Sequence, residues 1–175
     1  LTDHLALRFP TPFLDIYQRH AFATNLPVWF LFAISRQESA FNPRARSPAG
    51  ARGLMQLMGA TARATAASVR LSRPSASDLF DPNTNVTLGA HHLAELMARY
   101  DSHRVLVAAA YNAGAGRVNR WLRERPDMPT DVWIETIPFA ETRGYVKSVL
   151  AFSYVYASRF GRQVPVLDAH ERRVP

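Results

Sequence analysis

The spacing of apolar and polar positions predicts an almost wholly helical chain. Phe13, Ile16, Tyr17 and His20 recur at helical spacing and mark a helix over 13–24. Asn25-Leu26-Pro27 starts the next one, with a proline placed where its missing N–H costs little. That helix, over 28–39, is apolar on every side through Ile34, the pattern of a segment buried all round, and turns polar at Ser35-Arg36-Gln37-Glu38-Ser39. Asn42-Pro43, Ser47-Pro48 and Gly50 break residues 41–53 into loop. Further helices are expected over 54–69, 82–100, 105–111, 115–125 and 138–160, the last stopped by Gly161. Residues 8–13, with two prolines, read as an extended entry, 72–82 as a loop with at most one short strand, and 162–175 as a loose tail. Period-two alternation is missing, so the fold class is mainly α: about eight helices, at most minimal β.

Composition narrows the class. A chain of 175 residues, 47% hydrophobic and 20% charged, has enough length for one well-buried core. The absence of cysteine excludes a disulfide scaffold, a thiol nucleophile and a Cys-ligated zinc. A net charge of +7 favours an anionic partner: nucleic acid, an acidic membrane face or an acidic polymer. The longest apolar stretch, residues 27–34, is far short of the roughly 20 residues a bilayer span requires. No signal peptide is visible, and the start at Leu1 is read as that of a processed or excised piece.

Among the 14 acidic residues, Glu38 stands apart. It ends a fully apolar helix just before a breaker-rich loop, a placement that tends to half-bury a carboxyl and keep it neutral, as a general acid requires. A structural ion pair with Arg36, Arg44 or Arg46 is the competing reading. No Asp or Glu occurs over 39–77, so the neighbouring second carboxylate that most glycoside hydrolases use is missing. The chain has no Gly-x-Ser-x-Gly, no P-loop and no His-Glu-x-x-His. His91 and His92 are adjacent on a helix and point about 100° apart, so they do not clamp one metal. Neither a metal nor a cofactor is expected.

Four segments then carry a family resemblance. Residues 34–43, with Glu38-Ser39, resemble the catalytic motif of the soluble lytic transglycosylases, lysozyme-like enzymes that cleave peptidoglycan. Ser47-Pro48-Ala49-Gly50 through Gly53-Leu54-Met55-Gln56-Leu57-Met58 resembles the second motif, Ala110-Tyr111-Asn112-Ala113-Gly114 the third, and residues 135–146 the fourth. The resemblance covers roughly residues 8–162, and residues 1–162 are taken as one lysozyme-like catalytic domain related to goose-type lysozyme, followed by a tail over 163–175. One departure is Gly59, where the family commonly has proline.

The resemblance implies a mechanism. Glu38 protonates the oxygen linking N-acetylmuramic acid to N-acetylglucosamine. It then takes the proton of the muramoyl C6 hydroxyl, which attacks C1 and closes a 1,6-anhydro ring. Water is not consumed, in keeping with the carboxylate gap. Ser47, Met55, Gln56, Met58, Tyr111, Asn112, Glu141 and Tyr145 are the implied substrate-binding residues. Glu141 and Tyr145, spaced i,i+4, are expected on one helix face. A periplasmic, monomeric protein preceded by a large helical region is also implied, with peptidoglycan strands as partner. The alternatives are a goose-lysozyme-type hydrolase, a glycan-binding module without chemistry, and a basic nucleic-acid binder using Arg117, Arg120, Arg123 and Arg125. The intact Glu38 argues against the binding module, and the short basic stripe against nucleic acid.

Overall fold

The computed structural model describes residues 2–175, with side chains from His4 onward. The chain forms two compact units, residues 1–94 and 95–175. The first contains α1 (Thr2–Arg8), α2 (Leu14–Thr24), α3 (Val28–Ser39), α4 (Gly59–Ser68) and most of α5 (Pro82–Arg99). The second contains the end of α5, then α6 (Arg104–Ala113), α7 (Ala115–Glu124), α8 (Thr130–Thr136) and α9 (Ala140–Arg159). Two short 3-10 turns, Asp78–Phe80 and Ala169–Glu171, complete the regular structure. Among the described residues, β structure is limited to isolated bridges, Arg46 with Arg52, Arg52 with Leu57 and Pro129 with Arg173. The expected mainly helical class therefore holds.

In the first unit the core grows around α3. Phe30 to Ser35 are all buried, as an all-apolar helix requires. Fully burying side chains such as Phe30, Leu31, Phe32 and Ile34 contributes about 1.5–3 kcal/mol each. The Tyr17 ring of α2 lies 4.4 Å from Phe32 and meets Phe41 edge-on at 6.3 Å. In the second unit, α6 is buried from Arg104 through Ala110 and packs against α7 and α9. Trp121, Trp133 and Tyr156 fill the remaining space.

Three expectations are corrected. Residues 2–8 are helical, not only a lead-in. The described side chains of α1 are all exposed, so no apolar stripe announced it. The helix expected over 54–69 begins only at Gly59. Residues 52–57 instead form a tight loop in which Arg52 and Leu57 exchange both backbone bonds at 3.0 Å and Gln56 is left-handed, with φ +49°. Residues 72–81 are loop, as expected, and carry a 3-10 turn anchored by buried Leu79.

The last correction concerns the C-terminal segment, which is not loose. Glu171 is wholly buried and Val174 nearly so. Glu171 Oε1 accepts from Arg104 Nε at 2.8 Å and from the Arg104 backbone N–H at 2.7 Å, while Oε2 accepts from Arg104 Nη2 and from the Asp168 N–H. The Thr130 N–H donates to the Arg172 carbonyl and the Val174 N–H to the Met128 carbonyl, each at 3.0 Å. A carboxylate and a guanidinium, each polar enough to suggest surface, thus satisfy one another inside the unit.

Candidate active-site residues

Glu38 lies half-buried on the last turn of α3. The chain leaves that turn through two consecutive left-handed residues without the freedom of glycine, Ala40 (φ +48°) and Phe41 (φ +65°). Each costs about 1–2 kcal/mol, and such strain concentrates at functional sites. It is held in two ways. The Phe41 ring is buried against Tyr17 and Phe32, and its N–H donates to Ser39 Oγ at 3.1 Å. Ser39 Oγ in turn donates to the Leu54 carbonyl at 2.7 Å. The residue after Glu38 therefore fastens the helix end to the loop carrying Gly53-Leu54-Met55-Gln56.

That loop is internally saturated. Ser47 opens a turn: its carbonyl accepts from the Gly50 N–H at 2.9 Å and its hydroxyl from the Ala51 N–H at 3.0 Å. Gln56 Nε2 donates to the carbonyls of Ala45 (3.1 Å) and Gly53 (3.0 Å). Met58 is exposed at 43%, whereas Met55 is fully buried. Met55 is thus a packing residue, its sulfur lying over Gly89 of α5.

Sequence reasoning missed Asn85. This residue is wholly buried on α5. Its Oδ1 accepts from the Met55 N–H at 2.8 Å, and its Nδ2 donates to the carbonyls of Arg52 at 2.9 Å and Leu79 at 2.8 Å. A signal was available: Asn85 stands at i,i+4 to Gly89 and i,i+8 to Leu93, on the stripe that α5 buries.

In the second unit Tyr111 and Asn112 are half-buried on the last turn of α6. Asn112 Oδ1 accepts from the Thr142 hydroxyl at 2.7 Å, tying α6 to the start of α9. Glu141, in the first turn of α9, is exposed, while Tyr145 one turn on is 5% exposed. The i,i+4 pair shares a helix face, but that face passes from solvent into the core between them. Phe139, just before α9, is 42% exposed, meets Trp121 edge-on at 5.6 Å and has the Arg117 guanidinium 5.4 Å from its ring centre. Arg117 also donates to the Ala113 carbonyl at the end of α6. Arg120 faces Glu124 at 3.9 Å, so the basic stripe of α7 is partly neutralised.

Among the described residues, no group of three or more His, Asp or Glu is placed to hold a metal ion. Acidic charge within the first unit is sparse as well. Among its described side chains the carboxylates other than Glu38 are exposed: Asp15 pairs with Arg19, Asp78 caps Ser75 and Asp81 caps Thr84 at the start of α5. Glu38 is the one carboxyl there that is half-buried.

Comparison with known proteins gives a consistent result. The family model "Transglycosylase SLT domain" matches residues 16–134, and "Soluble lytic transglycosylase helical domain" matches residues 136–164. The soluble lytic murein transglycosylase of Escherichia coli (strain K12) is 40% identical over 173 residues, 98% of this chain. That of Salmonella typhimurium (strain LT2) is 38% identical over the same share. The chain spans 27% of the length of each of these curated relatives. Among solved structures, the lytic transglycosylase Slt of Pseudomonas aeruginosa, an inactive glutamate-to-glutamine mutant, superposes with a TM-score of 0.92 at 43% identity, covering 97% of this chain and 28% of that one. The 70 kDa soluble lytic transglycosylase of Escherichia coli gives 0.93 at 40% identity, covering 98% and 28%, and a related structure holds it in complex with bulgecin A.

Proposed function

Because this chain belongs to the transglycosylase SLT domain family, we propose that it cleaves the N-acetylmuramic acid–N-acetylglucosamine bond of peptidoglycan without water, leaving 1,6-anhydro ends, with Glu38 as acid and then base. The observation that carries this reading is the lack of a second half-buried carboxyl near Glu38 in its own stretch of chain, among the described residues. Among the described side chains of its unit it is the half-buried carboxyl, set on a strained helix end, and no other acidic residue follows until Asp78. One carboxyl suffices for an intramolecular attack, since the nucleophile is the substrate's own hydroxyl. A hydrolase needs a second group to activate water.

Each step has a partner in residue chemistry. Proton donation to the leaving oxygen requires a neutral acid, which partial burial favours. After the bond breaks, the Glu38 carboxylate is the base that accepts the C6 hydroxyl proton, so the enzyme returns to its starting protonation state. Ser47, Gln56, Met58, Tyr111, Asn112 and Glu141 bind sugar in this reading, while buried Met55 and Tyr145 pack from behind. The inactive glutamate-to-glutamine mutant of the Pseudomonas aeruginosa relative supports a carboxyl of this kind. Bulgecin A, bound by the Escherichia coli relative, is expected to bind here too. The net charge of +7 suits a polymer whose stem peptides carry carboxylates, and a location where peptidoglycan is exposed, the periplasm, follows.

The test is mass spectrometry of the muropeptides released from purified peptidoglycan by the wild-type chain and by Glu38→Gln. Anhydro-ended products lost in the variant are expected. Reducing-ended products would instead establish a hydrolase, and unchanged activity of Glu38→Gln would remove the carboxyl from the mechanism.

A further inference from the structure

One peptide group joins the Glu38 helix end to the middle of the first unit. The Leu54 carbonyl takes the Ser39 hydroxyl at 2.7 Å, and the Met55 N–H gives to Asn85 Oδ1 at 2.8 Å. These two atoms belong to the same peptide plane, which is rigid. Fixing the N–H therefore fixes where the carbonyl points. We propose that Asn85 is a positioning residue for Glu38, acting through the Leu54–Met55 peptide and Ser39. This inference rests on the reading of Glu38 as the acid.

The bonding of Asn85 supports a locating role. Both hydrogens of its amide and its carbonyl oxygen are engaged: one bond accepted from Met55, two donated to Arg52 and Leu79. Those partners lie on two different segments, so the side chain cannot swing without breaking bonds in a buried site, which is costly. Gly53 is shaped to admit it. A Cβ there would lie 2.3 Å from Asn85 Nδ2 and 2.1 Å from the Leu79 carbonyl oxygen, and the backbone φ of +78° also demands glycine. On the other side, Ser39 carries the constraint to the site. Its hydroxyl sets the carbonyl contact and also receives the Phe41 N–H, holding the left-handed pair that follows Glu38. A general acid displaced by a fraction of an ångström loses rate while substrate binding is preserved.

The experiment measures kcat and KM for muropeptide release, with bulgecin A affinity as an independent probe of the site. Asn85→Ala, Ser39→Ala, Ser39→Thr and the Asn85→Ala/Ser39→Ala double variant are compared, each checked for folding by circular dichroism. Asn85→Ala and Ser39→Ala are each expected to lower kcat by about 10- to 100-fold, with KM and bulgecin A affinity within about 2-fold, as expected when only an interaction of the reacting state is lost. Ser39→Thr, which keeps a hydroxyl, restores most of the loss. The double variant is no slower than the worse single one, because both act through one peptide.

A folded Asn85→Ala with wild-type kcat, or losses that multiply in the double variant, overturns the proposal. Should Asn85→Ala fail to fold, the Ser39 pair decides: equal kcat for Ser39→Ala and Ser39→Thr overturns it. Glu38→Gln separates the two readings. An inactive Glu38→Gln beside unaffected Asn85 and Ser39 variants sinks the positioning role alone, whereas an active Glu38→Gln sinks the acid assignment.

Discussion

A Cβ added to Gly89 would stand 2.3 Å from the sulfur of Met55 and 3.0 Å from its Cβ. The two residues are therefore a matched pair: a long flexible side chain from the 52–57 loop fills the groove that a missing side chain leaves on α5. Gly89→Ala is expected to destabilise the protein by about 1–3 kcal/mol through overpacking, although alanine is the better helix former. Denaturant unfolding measures it. Met55→Ala placed in the Gly89→Ala background should recover part of the loss, since it removes the sulfur. A simple sum of the two single effects would show that the overlap is not the cause.

Gly59 offers the opposite case. It is the first residue of α4, and Met58 before it has an extended backbone, with ψ 139°. This is the position where proline fits: its N–H has no helical partner, and the preceding residue is already out of the helical region. A Cβ here meets only the end of the Arg63 side chain, at 3.1 Å. Gly59→Pro should stabilise by about 0.4–1 kcal/mol, chiefly by restricting the unfolded chain. A lowered unfolding midpoint would mean that α4 starts differently in solution.

The Arg104–Glu171 pair makes the second unit acid-sensitive. Burial alone would raise the Glu171 carboxyl, but the Arg104 guanidinium and the backbone N–H groups of Asp168 and Arg104 outweigh it and hold the group below its ordinary value. A depressed carboxylate stabilises fully above its unfolded-state pKa, about 4.3, and loses that contribution as pH falls through the folded value. His103 works in the same direction. Burial pushes its imidazole down, only partly opposed by the Arg173 carbonyl and the Glu171 charge, with His170 adding to the depression. Its contribution is complete above about pH 6.5 and is lost on acidification. Hydrogen exchange of the Thr130 and Val174 amides, corrected for intrinsic rates, should therefore rise as pH falls. Glu171→Gln should remove the lower-pH part. Arg104→Met, which strands a buried carboxylate, should cost about 3–5 kcal/mol. Exchange unaffected by pH would mean that these bonds are not what holds the segment.

Much of this architecture was legible because it rests on local signals. The all-apolar run of α3, the capping Asp81 before Pro82 and the glycine stop after α9 each act within one turn of chain, and the helices appear where those signals stand. The half-burial of Glu38 was legible for the same reason: the apolar run ends beside it. What escaped notice depends on partners distant in sequence. Leu54 to Leu57 read as helix because their composition suits one, yet the Met55 N–H is claimed by Asn85, 30 residues on. Glu171 lies in the segment read as a loose tail, and its burial with Arg104 becomes intelligible only once 67 residues of chain bring the two together. Met55 could not be divided between cleft and core by its residue type. Its burial was decided by the absent side chain of Gly89.

That last span bears on how the polypeptide matures during synthesis. The braces of the first unit connect Ser39, Leu54, Met55, Leu79 and Asn85, so they can close once α5 has emerged. The second unit has no such early option. Arg104 emerges long before Glu171, and until then α6 carries a guanidinium with no carboxylate to enter the interior with. The order of the chain thus lets the Glu38 half settle first as the polypeptide emerges from its N-terminal side. Residues 168–174 act as the latch that lets α6 sink, and a chain cut before residue 171 would leave that helix open to proteases.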